Sequence, residues 1–203
     1  MKKFFITHVL LLIIFCSSVS AQSYFTGGVN LDFTFNCNKE VRDEIGVLIL
    51  KPSIFLEYNT FKKNSKIGFH IDGNGCAFYN DGDLMLGLGA MIGPSFLFPT
   101  GAESGFIISP GITAGFLLTG DSEDENSKSN EQKDTTLGVA YLGIGTTIKY
   151  FFRSGLTIGL NLNYSPLTYI SNSVTRRNNT ETFNKLENSI SIGICFGFTE
   201  CFK

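Results

Sequence analysis

The sequence predicts an all-β protein, an eight-stranded antiparallel up-and-down transmembrane β-barrel. The first observation is that eight stretches, most of about 12 to 15 residues, alternate between apolar and small or polar side chains. A period of two is typical of strands whose two faces meet different surroundings. The second observation is that the connections between these stretches mostly alternate between long and short along the chain. The third is that few charged residues lie within the stretches, which favours lipid rather than water outside.

The first 21 residues have the organisation of a cleaved secretory signal. Two lysines precede an apolar run over residues 4–15, and small residues then lead to a cleavage site after Ala21. The apolar run is too short to anchor the chain comfortably in a membrane. We therefore expect export, followed by a single barrel domain over residues 22–203.

The first four strands are predicted over residues 23–36, 45–59, 67–79 and 84–98. Their outward faces are expected to carry Phe25, Val29, Leu31, Phe33 and Phe35; Leu48, Leu50, Ile54, Leu56 and Tyr58; Ile67, Phe69, Ile71, Ala77 and Tyr79; and Leu84, Leu86, Leu88, Ile92 and Phe96. Their opposite faces are mostly Gly, Ser, Thr, Asn and Asp. The second strand fits less well, because Val47 and Ile49 make its inner face less polar.

The last four strands are predicted over residues 106–119, 135–152, 155–170 and 189–203. Their outward faces are expected to carry Phe106, Ile108, Ile112, Phe116 and Leu118; Leu142, Ile144, Ile148, Tyr150 and Phe152; Leu156, Ile158, Leu160, Leu162, Tyr164 and Ile170; and Ile190, Ile192, Ile194, Phe196, Phe198 and Phe202. Four prolines fall within predicted strands: Pro52, Pro94, Pro110 and Pro166. Since proline removes a ladder donor, bulges or misplaced strand ends are expected near some of them.

Long and short connections separate onto opposite ends of the predicted barrel. Long surface loops are expected at residues 120–135 and 171–188, whereas residues 153–154 form a short turn. The short connection at residues 80–83 is the exception among the long ones. In outer-membrane barrels short turns face the periplasm, and an even strand number returns both termini to that side.

Lipid, rather than water, is expected to surround the barrel for three reasons. The less apolar face is built of small residues rather than the Lys and Glu of a water-exposed surface. The strands exceed the usual five or six residues of globular sheets. Backbone groups in lipid must be paired within the protein, so a sheet there has to close. Aromatic residues near strand ends match an interfacial girdle: Tyr58, Tyr79, Phe96, Phe98, Phe106, Tyr150 and Phe152.

This pattern resembles the small eight-stranded bacterial outer-membrane β-barrel proteins of the OmpX, OmpW and OmpA-transmembrane-domain kind. The resemblance includes a terminal strand with Phe196, Phe198 and Phe202 close to the carboxyl end. It implies location in a bacterial outer membrane with periplasmic termini. It also implies contact with outer-membrane lipid, and with the barrel-assembly machinery through the last strand. The chain departs from that group in having Lys203 after the last phenylalanine and no tryptophan.

Charged residues of inward parity predict a polar network in the lumen. Its expected members are Asp32, Lys51, Glu57, His70, Asp72 and Lys149. Charges in a narrow barrel must be paired and hydrogen-bonded. Side chains fill a barrel of eight strands, so a continuous water pore is not expected.

No catalytic, metal or cofactor site is expected. His70 and Asp72 share a face and could form an acid/base pair, but a nucleophile is missing beside them. The glycines of residues 87–93 have the wrong spacing for a nucleotide loop and no helix follows them. Without its signal the chain has 14 basic and 18 acidic residues, a balance that argues against nucleic-acid binding. The remaining cysteines form two disulfides or stay reduced: Cys37, Cys76, Cys195 and Cys201.

The long loops offer a different kind of function, recognition of an extracellular or host ligand. Candidate contact residues are Asp121, Glu123, Asp124, Glu125, Arg176 and Arg177. The favoured interpretation of these loops is that they are mobile and solvated, since their composition is also that of disordered segments. Surface interaction or envelope integrity by a non-enzymatic barrel is the leading hypothesis. An OmpW-like barrel for uptake or efflux of small hydrophobic compounds is the alternative, and a lipid-modifying enzyme is the third.

Overall fold

The computed structural model describes residues 21–37, 48–80, 83–101, 103–120, 133–176 and 179–202. They form β1 (Ala21–Asn36), β2 (Leu48–Lys62), β3 (Ile67–Asn80), β4 (Asp83–Pro99), β5 (Gly105–Gly120), β6 (Lys133–Phe151), β7 (Leu156–Arg176) and β8 (Asn179–Phe202). Each strand pairs antiparallel with its neighbours in the chain, and β1 closes the barrel against β8. The predicted eight-stranded closed antiparallel barrel is confirmed. Among the described residues, no helix is long and apolar enough to span a membrane.

The two ends of the barrel differ in their connections. Turns at residues 63–66, 100–104 and 152–155 lie at one end, which we call the turn end. The first residues of β1 and the last of β8 are there too, because Ser23 pairs with Phe202. The opposite end, the loop end, holds the connections that were predicted to be long.

Two of the short turns depend on residues that tolerate a positive φ. Asn64 has φ 63° and Gly155 has φ 84°. In the first turn the Ser65 amide donates to the Lys62 carbonyl at 2.8 Å, and in the other the Gly155 amide donates to the Phe152 carbonyl at 2.9 Å. Asparagine and glycine are the residues that adopt this backbone region most readily, so β2–β3 and β6–β7 turn tightly here.

The prediction of a long loop at residues 171–188 is wrong. β7 continues to Arg176, β8 begins at Asn179, and these two residues are register partners. The sequence of this segment is polar at both parities, so the apolar alternation used to recognise strands is absent. Of the other expected contact residues, Asp121, Glu123, Asp124, Glu125 and Arg177 lie outside the described residues. Residues 133–135, expected in a loop, belong to β6.

A three-stranded sheet therefore extends past the rim at the loop end. The β5–β6 ladder runs to Leu118 and Gly138, and the β1–β8 ladder runs to Asn36 and Ser189. Beyond these pairs, β6, β7 and β8 continue to pair with one another. We call this part the projecting sheet, formed by residues 133–137, 171–176 and 179–188.

The prolines interrupt the wall where the sequence suggested irregularity. At Pro166, β7 carries one extra residue relative to both neighbouring strands. This bulge reverses the parity of the strand, so that Leu167 and Tyr169 face outward. The outward orientation predicted for Ile170 is wrong, because its side chain points into the lumen with 1% of its surface exposed.

The other three prolines stand beside gaps in the ladders. The β4–β5 pairs stop at Ile92 with Ile112 and resume at Phe96 with Ile108, and Pro94 and Pro110 lie in the interval. Neither proline has an N–H to donate. The β2–β3 pairs begin at Ile54, two residues after Pro52.

The outer surface is apolar over all eight strands. Large exposed side chains include, one from each strand, Phe25, Ile54, Ile71, Leu88, Ile112, Ile144, Leu160 and Ile194. Near the turn end, the rings of Phe106, Tyr150 and Phe152 contact in sequence, with neighbouring centroids 4.7 Å apart. The Tyr150 hydroxyl lies 3.3 Å from the Thr100 hydroxyl, so the aromatic group joins the apolar wall to a polar turn.

Candidate functional site: the barrel lumen

An aromatic and aliphatic cluster fills the lumen at the turn end. It consists of Tyr24, Phe61, Leu97, Ile107 and Phe151, each no more than 7% exposed. The ring of Tyr24 contacts that of Phe61 edge-on at 5.8 Å and that of Phe151 at 5.2 Å. We call this cluster the apolar plug. This cluster was not predicted from the sequence, although Phe61 has the same parity as the inward charges of β2 and so carried a usable signal.

Above the plug, a buried ion pair crosses the lumen. The ammonium of Lys149 on β6 donates to the carboxylate of Glu57 on β2, and the two residues are 2% and 1% exposed. The Lys149 ammonium also lies 4.1 Å from the centroid of the Phe55 ring, which adds a cation–π contact. Gly159, the β7 register partner of Lys149, leaves the space that the lysine stem occupies. The pair ties non-adjacent strands together.

Hydroxyl and amide groups complete the layer around this pair. The Ser95 hydroxyl donates to Asn59 Oδ1 at 2.7 Å, and the Ser109 hydroxyl lies 3.1 Å from that of Ser95. Ser109 is also 3.3 Å from Glu57 Oε1. Four strands therefore contribute to one hydrogen-bonded layer, which we call the central layer.

His70 and Asp72 lie in the same region of β3. The His70 ring is fully buried, and its Nδ1 is 3.1 Å from the Pro94 carbonyl oxygen. Its register partner on β4 is Gly93, where an added Cβ would meet the backbone of Pro110 and Gly111 on β5. Asp72 is 6% exposed and is the register partner of Glu57. The nearby Ser95 hydroxyl donates to Asn59 Oδ1 and lies 3.1 Å from the Ser109 hydroxyl.

Asp32 and Lys51 lie closer to the loop end, away from the other expected network members. The Asp32 carboxylate occupies the space over Gly193, where an added Cβ would meet its Cγ at 2.9 Å. It is also within reach of the Asn161 side chain. The Lys51 ammonium lies 5.5 Å from the centroid of the Tyr141 ring. Of the six expected residues, Glu57 and Lys149 belong to the central layer, His70 and Asp72 lie beside it on β3, and Asp32 and Lys51 lie above it.

These two charges line a small cavity, which we call the upper cavity. Its volume is about 60 Å³. Its other lining residues are Thr34, Leu117, Val139, Tyr141, Asn163, Ser165, Thr168, Ile170, Ser189 and Ser191. Two hydroxyl pairs satisfy each other in its wall, Thr34 with Ser191 at 2.7 Å and Thr168 with Ser189 at 2.9 Å. Register, rather than sequence spacing, brings these hydroxyls together.

The cysteines do not form a metal cluster. Cys195 is buried, Cys76 is half-buried and Cys201 is exposed at the end of β8, and each of these three is a free thiol. Within the described part of the chain, no group of three or more histidine, cysteine or acidic residues is placed to hold a metal ion.

Comparison with solved structures places this barrel among known folds. Neisserial surface protein A matches with a TM-score of 0.51 and 11% identity, over 89% of this chain and 97% of that one. A major outer membrane protein from Thermus thermophilus matches with a TM-score of 0.50 and 7% identity, over 88% and 99%. The chain has the fold of the small outer-membrane β-barrels. The predicted resemblance to such barrels is thereby confirmed at the level of fold.

A further match is Ail, the attachment invasion locus protein of Yersinia pestis. Its TM-score is 0.48 at 10% identity, over 89% of this chain and 99% of that one. No protein-family model and no curated protein matches the sequence. The small outer-membrane barrel fold therefore rests on architecture rather than on sequence relationship.

Proposed function

We propose that this chain is a non-enzymatic integral protein of a bacterial outer membrane that presents a recognition surface outside the cell. The observation that carries this proposal is the apolar outer surface that runs around all eight strands, which we call the apolar belt. Ile54 and Phe198, on the two strands that flank β1, expose 69% and 68% of their surface, while Glu57 and Lys149 are buried inside. A water-soluble barrel has the reverse arrangement, with its apolar side chains within.

The projecting sheet is the proposed recognition surface. Arg176 lies at its tip, and the segment of β8 within it has the sequence NTETFNKLEN. Tyr169, just below it, donates from its hydroxyl to Asn184 Oδ1 at 3.0 Å, which braces β7 against β8. A rigid polar sheet loses less conformational entropy on binding a partner than a flexible loop does. Residues 121–132 adjoin it in sequence and are proposed to contribute their acidic groups.

Several features support a non-enzymatic role. The imidazole of His70 is buried under the wall of the barrel, where a substrate would have to displace packed side chains to reach it. The carboxylate of Glu57 is committed to Lys149. Residues that are engaged in this way stabilise a lumen more readily than they perform acid/base catalysis.

The orientation follows from the two ends of the barrel. We propose that the turn end, with both termini, faces the periplasm, and that the loop end faces outward. Surface proteolysis of intact cells tests this. Cleavage within residues 121–132 or at the tip of the projecting sheet is expected, with the turns at residues 63–66 and 152–155 protected. Cleavage at those turns in sealed cells would reverse the orientation.

A second candidate function, exchange of small apolar compounds with the membrane, is favoured by one feature of the wall. Outside the gap at Pro94 and Pro110 lies an apolar groove of about 840 Å³, which also reaches Ile144, Leu162 and Ile192. The apolar plug opposes straight passage through the barrel, so only lateral exchange fits. Uptake of an apolar dye into vesicles that carry the barrel should then fall in Pro110→Thr, in which a ladder donor is restored. Equal uptake by both proteins would exclude this route.

A further inference from the structure

We propose that the upper cavity is a binding site for a small zwitterion, an α-amino acid of the size of glycine. This inference concerns the interior of the barrel and does not depend on the recognition role proposed above. On the scale of this cavity measure about 10–15 Å³ admits one water molecule, so about 60 Å³ gives room for roughly four or five non-hydrogen atoms. Glycine has five.

Opposite charges face this cavity without pairing with each other. Asp32 and Lys51 are register partners on β1 and β2, the arrangement in which cross-strand ion pairs usually form. Within the described residues Lys149 pairs with Glu57 and Arg153 pairs with Glu103, and Lys51 is in neither ion pair. Its ammonium is instead held near the face of Tyr141.

The Asp32 carboxylate has capacity for another donor. Asp32 is 6% exposed, and its Oδ1 has no hydrogen-bond partner in the described structure. A buried carboxylate oxygen without a donor costs a large desolvation free energy, which a ligand N–H group would relieve. Oδ1 lies over Gly193, which is not part of the cavity lining, so a ligand N–H group would reach the carboxylate from its cavity side.

A zwitterion fits these two charges better than a simple ion does. A lone cation at Asp32 would be repelled by Lys51, and a lone anion at Lys51 would be repelled by Asp32. An α-amino acid places its ammonium on Asp32 and its carboxylate on Lys51 and so satisfies both. Two pairs of wall hydroxyls bond to each other, Thr34 with Ser191 and Thr168 with Ser189, whereas Asp32 and Lys51 have no ion-pair partner among the described residues.

The ligand would enter from the loop end. The apolar plug closes the turn end, and the central layer separates it from the cavity. Near the cavity the β2–β3 ladder begins only at Ile54 and Gly75, so the wall beside Lys51 is less tightly paired. The hydrophobic side chains Leu117 and Ile170 limit the cavity and leave little space beyond a methyl group on the ligand.

Calorimetric titration of the folded, detergent-solubilised protein with glycine tests the proposal. Glycine is expected to bind saturably, whereas acetate, methylammonium and valine bind at least about tenfold more weakly, since each lacks one charge or exceeds the space. Asp32→Asn and Lys51→Met are expected to weaken glycine binding by a similar factor. Lys66→Met, which changes an exposed lysine in a turn, is the matched control and should bind as the unaltered protein does.

A second readout needs no variant. In the amide spectrum of the unaltered protein, glycine should shift the signals of residues near Asp32, Lys51 and Ser191 and leave those of the apolar plug unchanged. Absence of saturable glycine binding overturns the proposal and leaves the cavity as a water site. Glycine affinity that is unchanged in folded Asp32→Asn or Lys51→Met also overturns it.

Discussion

The ammonium of Lys149 and the carboxylate of Glu57 meet across the lumen, from strands that are not neighbours in the barrel. Both groups are removed from water, so each depends on the other for compensation. Removing one partner of such a pair leaves an uncompensated buried charge, which costs about 3–5 kcal/mol. Glu57→Gln and Lys149→Met are each expected to lower the free energy of unfolding by about this amount in urea titrations of the refolded barrel.

The double variant and a surface pair provide the controls for that prediction. Glu57→Gln combined with Lys149→Met should recover part of the loss, because no unpaired charge remains. Glu103→Gln, which breaks the exposed contact with Arg153, should have little effect. Single variants as stable as the unaltered protein would show that the pair is not desolvated in solution.

The position of Gly193 under the Asp32 carboxylate predicts that a methyl group is not tolerated there. Gly193→Ala would force the carboxylate to move, and crowding of this kind typically costs about 1–3 kcal/mol. Gly73→Ala is the matched control, since an added Cβ at Gly73 meets nothing within 4 Å. Equal unfolding free energies for the two variants would contradict the placement of Asp32.

The apolar plug is expected to contribute strongly to stability. Phe61→Ala removes a side chain that is 1% exposed, and such truncations cost about 3–5 kcal/mol. Ile54→Ala, in the same strand but with its side chain outward, should cost far less in the same urea titration. A smaller loss for Phe61→Ala than for Ile54→Ala would mean that the strand has the opposite orientation.

The bulge at Pro166 predicts a reversal of labelling along β7. Introduced singly, a cysteine in place of Ile170 should resist a maleimide that partitions into lipid, while one in place of Leu167 should react, because these residues face the lumen and the outside. Serine in place of Cys37, Cys76, Cys195 and Cys201 in the background removes the competing thiols. Reaction at position 170 and protection at position 167 would contradict the bulge and would support the orientation of β7 that the sequence predicted.

The sequence was sufficient for the number of strands and for most of their orientations. Apolar and polar side chains alternate wherever one face of a strand meets lipid and the other meets the lumen, as at Leu31 and Asp32. It failed for the projecting sheet, whose sequence is polar at both parities. It failed again at Ile170, because a one-residue insertion changes parity without leaving any mark in composition beyond Pro166.

The interior was harder to predict than the wall. Five of the six charged residues expected in the lumen are buried and Lys51 is half-buried, but the partner of each depends on shear and register, which alternation does not encode. Lys149 meets Glu57 rather than a neighbour, and Lys51 meets Tyr141 rather than Asp32. The apolar plug was not predicted because the parity of its members was not followed, and because Phe61 lies beyond the predicted end of its strand at residue 59.

The central claim is that hydrocarbon surrounds the apolar belt, and the absence of tryptophan from the chain allows a direct measurement. Ile92 and Met91 are adjacent on β4 and lie at nearly the same depth, but the first is 48% exposed and the second 5%. Fluorescence of Ile92→Trp in vesicles of lipids brominated along their acyl chains should be strongly quenched, and that of Met91→Trp should be nearly unaffected. Quenching of Ile92→Trp by aqueous iodide instead, with no effect of the brominated lipids, would contradict the account.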